Sequence, residues 1–267
     1  MPFTLSHPAA SVPFVRRGLI LSALVIGSMA PDFPYFLMLN QDADFGHTLP
    51  GLIVFCVPAG FLLLWVYQRV LKLPLLSLLP ERHQQRLEPV IGDFRFLPLG
   101  RLGLILLSLF IGAFTHILWD SFTHSDGLMV QNIALLNMTL FTLGTYQLSL
   151  YKVLQHGSTV IGGGLLLYWY WRWYRTAQVE PLDPLFKITA RKKVAIILAM
   201  FLVSVVIGAQ LSYLRYSHLS NFEVLERFLV RAVIAGMSIF LLEILIYSLY
   251  WHWQHRGQVK NTRYVLR

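Results

Sequence analysis

The chain has 267 residues, of which 56% are hydrophobic and 13% charged, and its mean hydropathy is +0.58. A soluble domain carries about 25% charged residues, so this composition excludes a water-soluble globular fold. The net charge of +9 does not point to nucleic acid, because the Lys and Arg residues sit between apolar blocks and form no basic patch with interleaved aromatics.

The opening segment, MPFTLSHPAASVPFVRR, has its positive charges after residue 15 and no small-residue cleavage site. It is therefore expected to stay attached and not to act as a signal peptide. Residues 18–31 are apolar but too short to span. Pro31 and Pro34 break any helix there and present Asp32 on a short turn. Five later segments are each near the 20 residues that a helix needs to cross about 30 Å. They are 50–71, 100–119, 156–174, 193–214 and 229–250. Residues 128–151 are long enough to span but rich in Thr, Asn, Gln and Tyr, and are expected to form helices at the outer leaflet. The expected fold is an all-α polytopic membrane bundle of about five transmembrane helices plus shorter outer-leaflet helices. It is read as one integral-membrane domain over 1–267. Within it, 1–49 is a His/Asp region, 50–175 the core, and 176–267 a two-helix segment.

Charge sets the expected orientation. Sixteen of the 22 basic residues fall in three groups, from Arg69 to Arg101, from Arg172 to Lys193, and from Arg256 to Arg267. Segments 18–68 and 102–151 have none. The positive-inside rule makes the three groups and the C-terminus cytoplasmic. Tyr and Trp crowd 168–174 and 247–253 beside two of these groups, as interfacial belts do. Arg16 and Arg17 are the exception and are expected to snorkel at the outer interface. The localisation this implies is a bacterial cytoplasmic membrane, crossed several times.

The same orientation gathers His7, Asp32, Asp42, Asp44, His47, Asp120, His124, Asp126 and His156 at the outer side, with His116 just inside the second span. The sharpest local pattern is His116-Ile-Leu-Trp-Asp120-Ser-Phe-Thr-His124. A spacing of four keeps all three side chains on one helical face, and ionisable groups at a span end are costly enough to be functional candidates. His and Asp at i and i+4 can hold a metal from one rigid element. The candidate ligands are His7, Asp32, His47, His116, Asp120 and His124, with His47 and His124 either completing the coordination or accepting a proton. The alternative is a helix-end cluster bonded to water and backbone. A His/Asp set without Cys favours one or two Zn²⁺ ions, other divalent metals remaining open. Cys56 is the single cysteine, so neither an internal disulfide nor a Cys-based metal site is available. His83, His252 and His255 are expected to be solvated, His218 isolated, and Glu243 hydrogen-bonded to a neighbouring helix.

MPFTLSHPAA, GSMAPDFPYF and HILWDSFTH together resemble the signatures of the DUF4184 family of bacterial integral-membrane proteins. The order His…Asp…His…His-x3-Asp…His is more distantly similar to the ligand order of zinc-dependent phospholipase C and P1-type nucleases, and to the membrane-bound metal-dependent hydrolases of the DUF457 group. That likeness implies zinc-dependent phosphoester hydrolysis, with His7, Asp32, His47, His116, Asp120 and His124 in the ligand positions. Two features depart from the soluble enzymes. Met1 is not obviously placed as a ligand, and His156 is followed four residues later by Val160 and not Glu. The expected function is a membrane-embedded hydrolase acting on a lipid or lipid-linked phosphoester, with membrane lipids as partners. The alternative is a non-enzymatic transporter, metal carrier or assembly factor.

Overall fold

The computed structural model describes residues 4–38, 44–92, 94–144, 146–216 and 222–259. Met1, Asp42 and His218 lie outside that set, as does the side chain of Asp44. The regular elements are predominantly helices. Those that matter below are α1 (Leu21–Gly27), α2 (Leu49–Leu78), α3 (Leu99–Thr123), α4 (Leu150–Thr176), α5 (Ala190–Tyr213) and α6 (Phe222–Gln254).

Four helices are long and apolar enough to cross a membrane: Leu49–Leu78, Leu99–Asn132, Ala190–Tyr213 and Glu223–Gln254. They correspond to four of the five expected spans. The remaining one, 156–174, lies within the 27-residue α4. That helix is long enough at 1.5 Å per residue, but its glycines and clustered Tyr, Trp and Arg keep it outside the apolar set.

The expected span ends at residue 71, yet α2 runs on past Pro74 to Leu78. Two of its turns widen to π geometry, Leu52–Cys56 and Tyr67–Leu71. Each lies just before a proline, Pro58 or Pro74. Proline has no N–H, and its ring crowds the carbonyl four residues back. A wider turn relieves that crowding and lets the helix continue.

The chain divides into two compact units. One comprises 34–43, 65–95 and 176–267. Its apolar centre is Leu73, Leu76, Leu185, Phe186 and Trp251. The carbonyls at the end of α2 lack helical partners and find them elsewhere. Gln84 Nε2 donates to Leu76 and Ser77 at 2.8 and 3.0 Å, and Lys193 Nζ donates to Leu79 at 2.6 Å. At Pro74 the crowded carbonyl is that of Val70, which accepts from His252 Nε2 at 2.9 Å. His255 stacks on Trp251, with its Nδ1 at 2.8 Å from the Trp251 carbonyl. His83, His252 and His255 are all half-buried, which corrects the expectation of solvated side chains. Glu243 accepts a 2.7 Å hydrogen bond from Ser204 Oγ across α5 and α6, as expected for a carboxyl within a span.

The other unit comprises 1–33, 44–64 and 96–175. A small apolar core of Ala30, Leu52, Cys56 and Ala113 underlies it. Here the expectation for 128–151 needs correction. Leu128–Asn132 and Ala134–Asn137 are short helices, but Thr139–Leu143 (β1) and Tyr146–Ser149 (β2) form an antiparallel hairpin. β-Branched and aromatic residues favour strands, and Gly144 follows β1 at φ 59°, a value typical of hairpin turns.

Candidate metal centre

α3 carries the centre of the site. Its partner α1 must approach closely, because a Cβ at Gly112 would run into the Leu24 carbonyl. That approach brings the Ser28 carbonyl to 2.7 Å from His116 Nδ1. A carbonyl only accepts, so Nδ1 carries the hydrogen and Nε2 presents its lone pair, the orientation that a second partner gives a metal-binding histidine.

After α1, a 3₁₀ turn at Ala30–Asp32 holds Asp32, which is buried. Thr4 Oγ1 donates to Asp32 Oδ2 at 2.6 Å and leaves Oδ1 facing the histidines. His47 ends the 3₁₀ turn Asp44–His47, just before the Thr48-capped start of α2. Gly46 lets this turn lie against Pro31, since a Cβ there would strike the Pro31 carbonyl. Cys56 Sγ donates to the Gly46 carbonyl at 3.3 Å from the first π turn.

Four ligand atoms then stand close together. His116 Nε2 is 3.1 Å from Asp120 Oδ2 and 3.6 Å from Asp32 Oδ1. His47 Nε2 is 3.3 Å from Asp32 Oδ1 and 3.7 Å from Asp120 Oδ2. Ligands about 2.0–2.1 Å from a tetrahedral ion stand about 3.3 Å apart, and two sets of ligand atoms, those of Asp32, His47 and His116 and those of His7, His116 and Asp120, each lie within 4.8 Å of one another. His116 Nε2 is buried and makes no hydrogen bond. An unmade bond at a buried polar atom costs roughly 1–3 kcal/mol, which an ion at this point would remove.

His7 lies against the same carboxylate. Its ring stacks on His116 at 3.8 Å between centroids, and its Nε2 is 3.5 Å from Asp120 Oδ1. It sits just before the helix Pro8–Ser11 in helical backbone geometry, and not in the extended form expected before proline. Trp119 meets its edge at 5.6 Å and is itself fixed by a 3.0 Å bond from Nε1 to Ser158 Oγ on α4. Burial pushes the His7 imidazole down to about 4, reinforced by neighbouring His116 and only partly opposed by Asp120 and Asp32. It is thus neutral at physiological pH, the form that ligates.

The helix ends at Thr123, so His124 leaves the helical face that its spacing suggested. Its extended backbone still puts Nδ1 3.5 Å from Asp120 Oδ1. Five of the six expected ligands, His7, Asp32, His47, His116 and Asp120, fall in groups that could hold a metal ion, and His124 lies beside Asp120. His156 is exposed on α4 and stands apart from those groups. His7 and His116 are closed off, while the side chains of His47 and His124 are 22% and 23% exposed. The centre therefore reaches solvent at His47 and His124.

Sequence reasoning missed Thr4, the Ser28 carbonyl, Trp119 and the two glycines. A carbonyl has no residue signature. Gly46 and Gly112, next to or one turn from a candidate ligand, were signals that could have been read.

A family described as a domain of unknown function, DUF4184, matches residues 1–249, and the chain belongs to it. No curated protein and no solved structure matches.

Proposed function

We propose that this DUF4184 protein is a membrane-embedded, metal-dependent hydrolase. The observation that carries the proposal is the set of four ligand atoms 3.1–3.7 Å from their neighbours, with the His116 Nε2 lone pair unpartnered among them. Asp32, His47 and His116 would hold the ion, with Asp120 Oδ2 beside both histidines. Zn²⁺ suits this His/Asp set without Cys. A bound ion of this kind lowers the pKa of a water and polarises a scissile group.

His47 and His124 line the open side and are the residues proposed to meet the substrate. Exposed Phe45, Leu49, Phe122 and Leu128 neighbour them in sequence, which supports an amphiphilic substrate, a lipid or lipid-linked phosphoester. By the positive-inside rule the distribution of basic groups supports a site on the outer side of a bacterial cytoplasmic membrane.

A transport role needs polar residues leading away from the cluster. Ser108 is the only polar side chain in residues 104–114 of α3, the stretch leading up to Thr115 and His116. It is already committed, accepting from Ile20 N at 3.0 Å and donating to the Leu104 carbonyl at 2.6 Å. This favours the hydrolase reading.

The test is metal analysis of the purified protein beside His116→Ala and Asp120→Ala, followed by hydrolysis of bis-p-nitrophenyl phosphate and of phospholipid vesicles. Metal in the parent alone, together with metal-dependent hydrolysis, is expected. Equal metal content in all three proteins removes the site. Metal retained without hydrolysis returns the protein to the carrier or transporter reading.

A further inference from the structure

Residues 7–28 run along α3 away from the metal centre and then return to it. His7 lies level with His116, its ring stacked at 3.8 Å. Four residues on, Ser11 Oγ is 3.5 Å from the Leu24 carbonyl, and that carbonyl lies against Gly112 of α3. The 3₁₀ segment Val12–Arg17 continues from there. At about 2 Å per residue, its six residues cover about 12 Å. Gly18 then reverses the chain in the left-handed region at φ 87°, with its N–H on the Val15 carbonyl. Ile20 N donates to Ser108 Oγ at 3.0 Å, and α1 climbs back past Gly112 until the Ser28 carbonyl meets His116 Nδ1. The segment is a hairpin with both ends at the metal centre and its tip beside Ser108.

The depth of that tip follows from α3, which lies within a helix long and apolar enough to cross a membrane. At 1.5 Å per residue, His116 stands about 26 Å from the Leu99 end of α3 and Ser108 only about 14 Å from it. The tip therefore belongs to the leaflet opposite to the metal centre. It carries charge, since Arg16 and Arg17 are both exposed there. Among the described residues neither forms an ion pair. Phe14 and Val15 beside them are also exposed, as suits contact with lipid chains. A cation within a leaflet is costly unless it meets a counter-charge or the headgroups, and arginine is long enough to reach the headgroups. Ser108 Oγ and the Val15 carbonyl satisfy turn N–H groups, as irregular backbone at this depth demands.

We propose that residues 7–28 form a re-entrant hairpin whose tip, Arg16 and Arg17, binds the phosphates of anionic phospholipids in the leaflet opposite to the metal centre. A guanidinium pairs with phosphate oxygens through two parallel N–H bonds, and two adjacent cations favour a lipid of net negative charge. This replaces the outer interface expected for these residues. With the orientation proposed above, the leaflet is the cytoplasmic one, and Arg16 and Arg17 cease to be exceptions to the positive-inside rule. The hairpin tip needs no bound ion, so the proposal stands or falls apart from the hydrolase reading.

Two measurements on the full-length protein test it. In a Cys56→Ser background, a nitroxide on Val15→Cys reports depth in reconstituted vesicles by electron paramagnetic resonance. Strong relaxation by oxygen and weak relaxation by a water-soluble nickel chelate are expected. Strong relaxation by the chelate overturns the re-entrant placement. The lipid is read from thermal unfolding, followed by tryptophan fluorescence, in phosphatidylcholine nanodiscs with and without phosphatidylglycerol. Phosphatidylglycerol is expected to raise the midpoint of the parent and to leave the Arg16→Gln, Arg17→Gln double variant unmoved. Arg16→Lys with Arg17→Lys, which keeps the charge without the paired N–H bonds, should recover part of the rise. An equal rise in the parent and the glutamine variant, or no rise in the parent, overturns the assignment of anionic lipid to these arginines. Both side chains are exposed, so the variants are expected to fold, and the depth measurement does not depend on them.

Discussion

His7 and His116 stack their imidazoles 3.8 Å apart, and each directs its Nε2 at a different oxygen of Asp120. The two rings reach this arrangement from unlike supports, one beside a four-residue helix and the other from the middle of a 25-residue helix. What joins them is a shared carboxylate, and most consequences of the structure follow from it.

Removing metal should loosen this unit. A ligand at a thousand times its dissociation constant stabilises a fold by about 4 kcal/mol. Chelation is expected to lower the thermal midpoint of the parent in detergent and to leave Asp120→Ala unchanged, as read by differential scanning fluorimetry.

The approach of α1 to α3 depends on Gly112. Gly112→Val would drive its side chain into the Leu24 carbonyl, and overpacking of this kind costs roughly 1–3 kcal/mol. It also displaces the Ser28 carbonyl from His116 Nδ1. Thermal unfolding and metal content are both expected to fall, although Gly112 is not a ligand.

Acid should weaken the metal-free protein through His7. The unfolded chain takes up this proton near pH 6.5 and the folded one near 4. Between those values the unfolded state holds more protons, so stability falls as pH falls. Over this 2.5-unit window, at 1.36 kcal/mol per unit, the loss is roughly 3 kcal/mol. Unfolding measured from pH 7 to 4 in chelator should show this slope in the parent, and His7→Phe should flatten it.

The π turn before Pro74 leaves the Val70 carbonyl to His252. His252→Ala is expected to cost about 1–3 kcal/mol, the price of a buried acceptor left unmade. His252→Gln, which can still donate, should recover part of it. Chemical denaturation of the two variants decides this, and equal losses would remove the hydrogen bond as the cause.

Orientation is open to a direct experiment because Cys56 is the single cysteine and is buried. In a Cys56→Ser background, Ser125→Cys should react with an impermeant maleimide from outside intact cells. Arg82→Cys should react only after permeabilisation. The reverse pattern would invert the proposed topology.

Much of the candidate site was legible because its central feature is periodic. His116 and Asp120 sit one helical turn apart, and a pattern of four exposes that in one dimension. His124 continued the pattern on paper, but the helix ends at Thr123, and the side chain arrives by an extended residue instead. His7, Asp32 and His47 could be chosen as residue types, while their convergence depended on close backbone contacts at Gly112 and Gly46 that no spacing encodes. The hairpin at 139–149 was missed because its Thr, Gln and Tyr residues were weighed for polarity and not for strand propensity. The end of α2 lies beyond the expected end at residue 71, and the π turn that accommodates Pro74 has no residue signature.

The ring stack also has a bearing on biogenesis. About a hundred residues of chain separate His7 from His116 and Asp120. A ribosome therefore exposes His7 well before its partners exist, and the segment carrying it must wait at the membrane until α3 has been inserted. Closing so long a loop costs entropy that the other contacts have to offset. The centre can then close only late in synthesis, once α3 is in place to receive the first part of the chain.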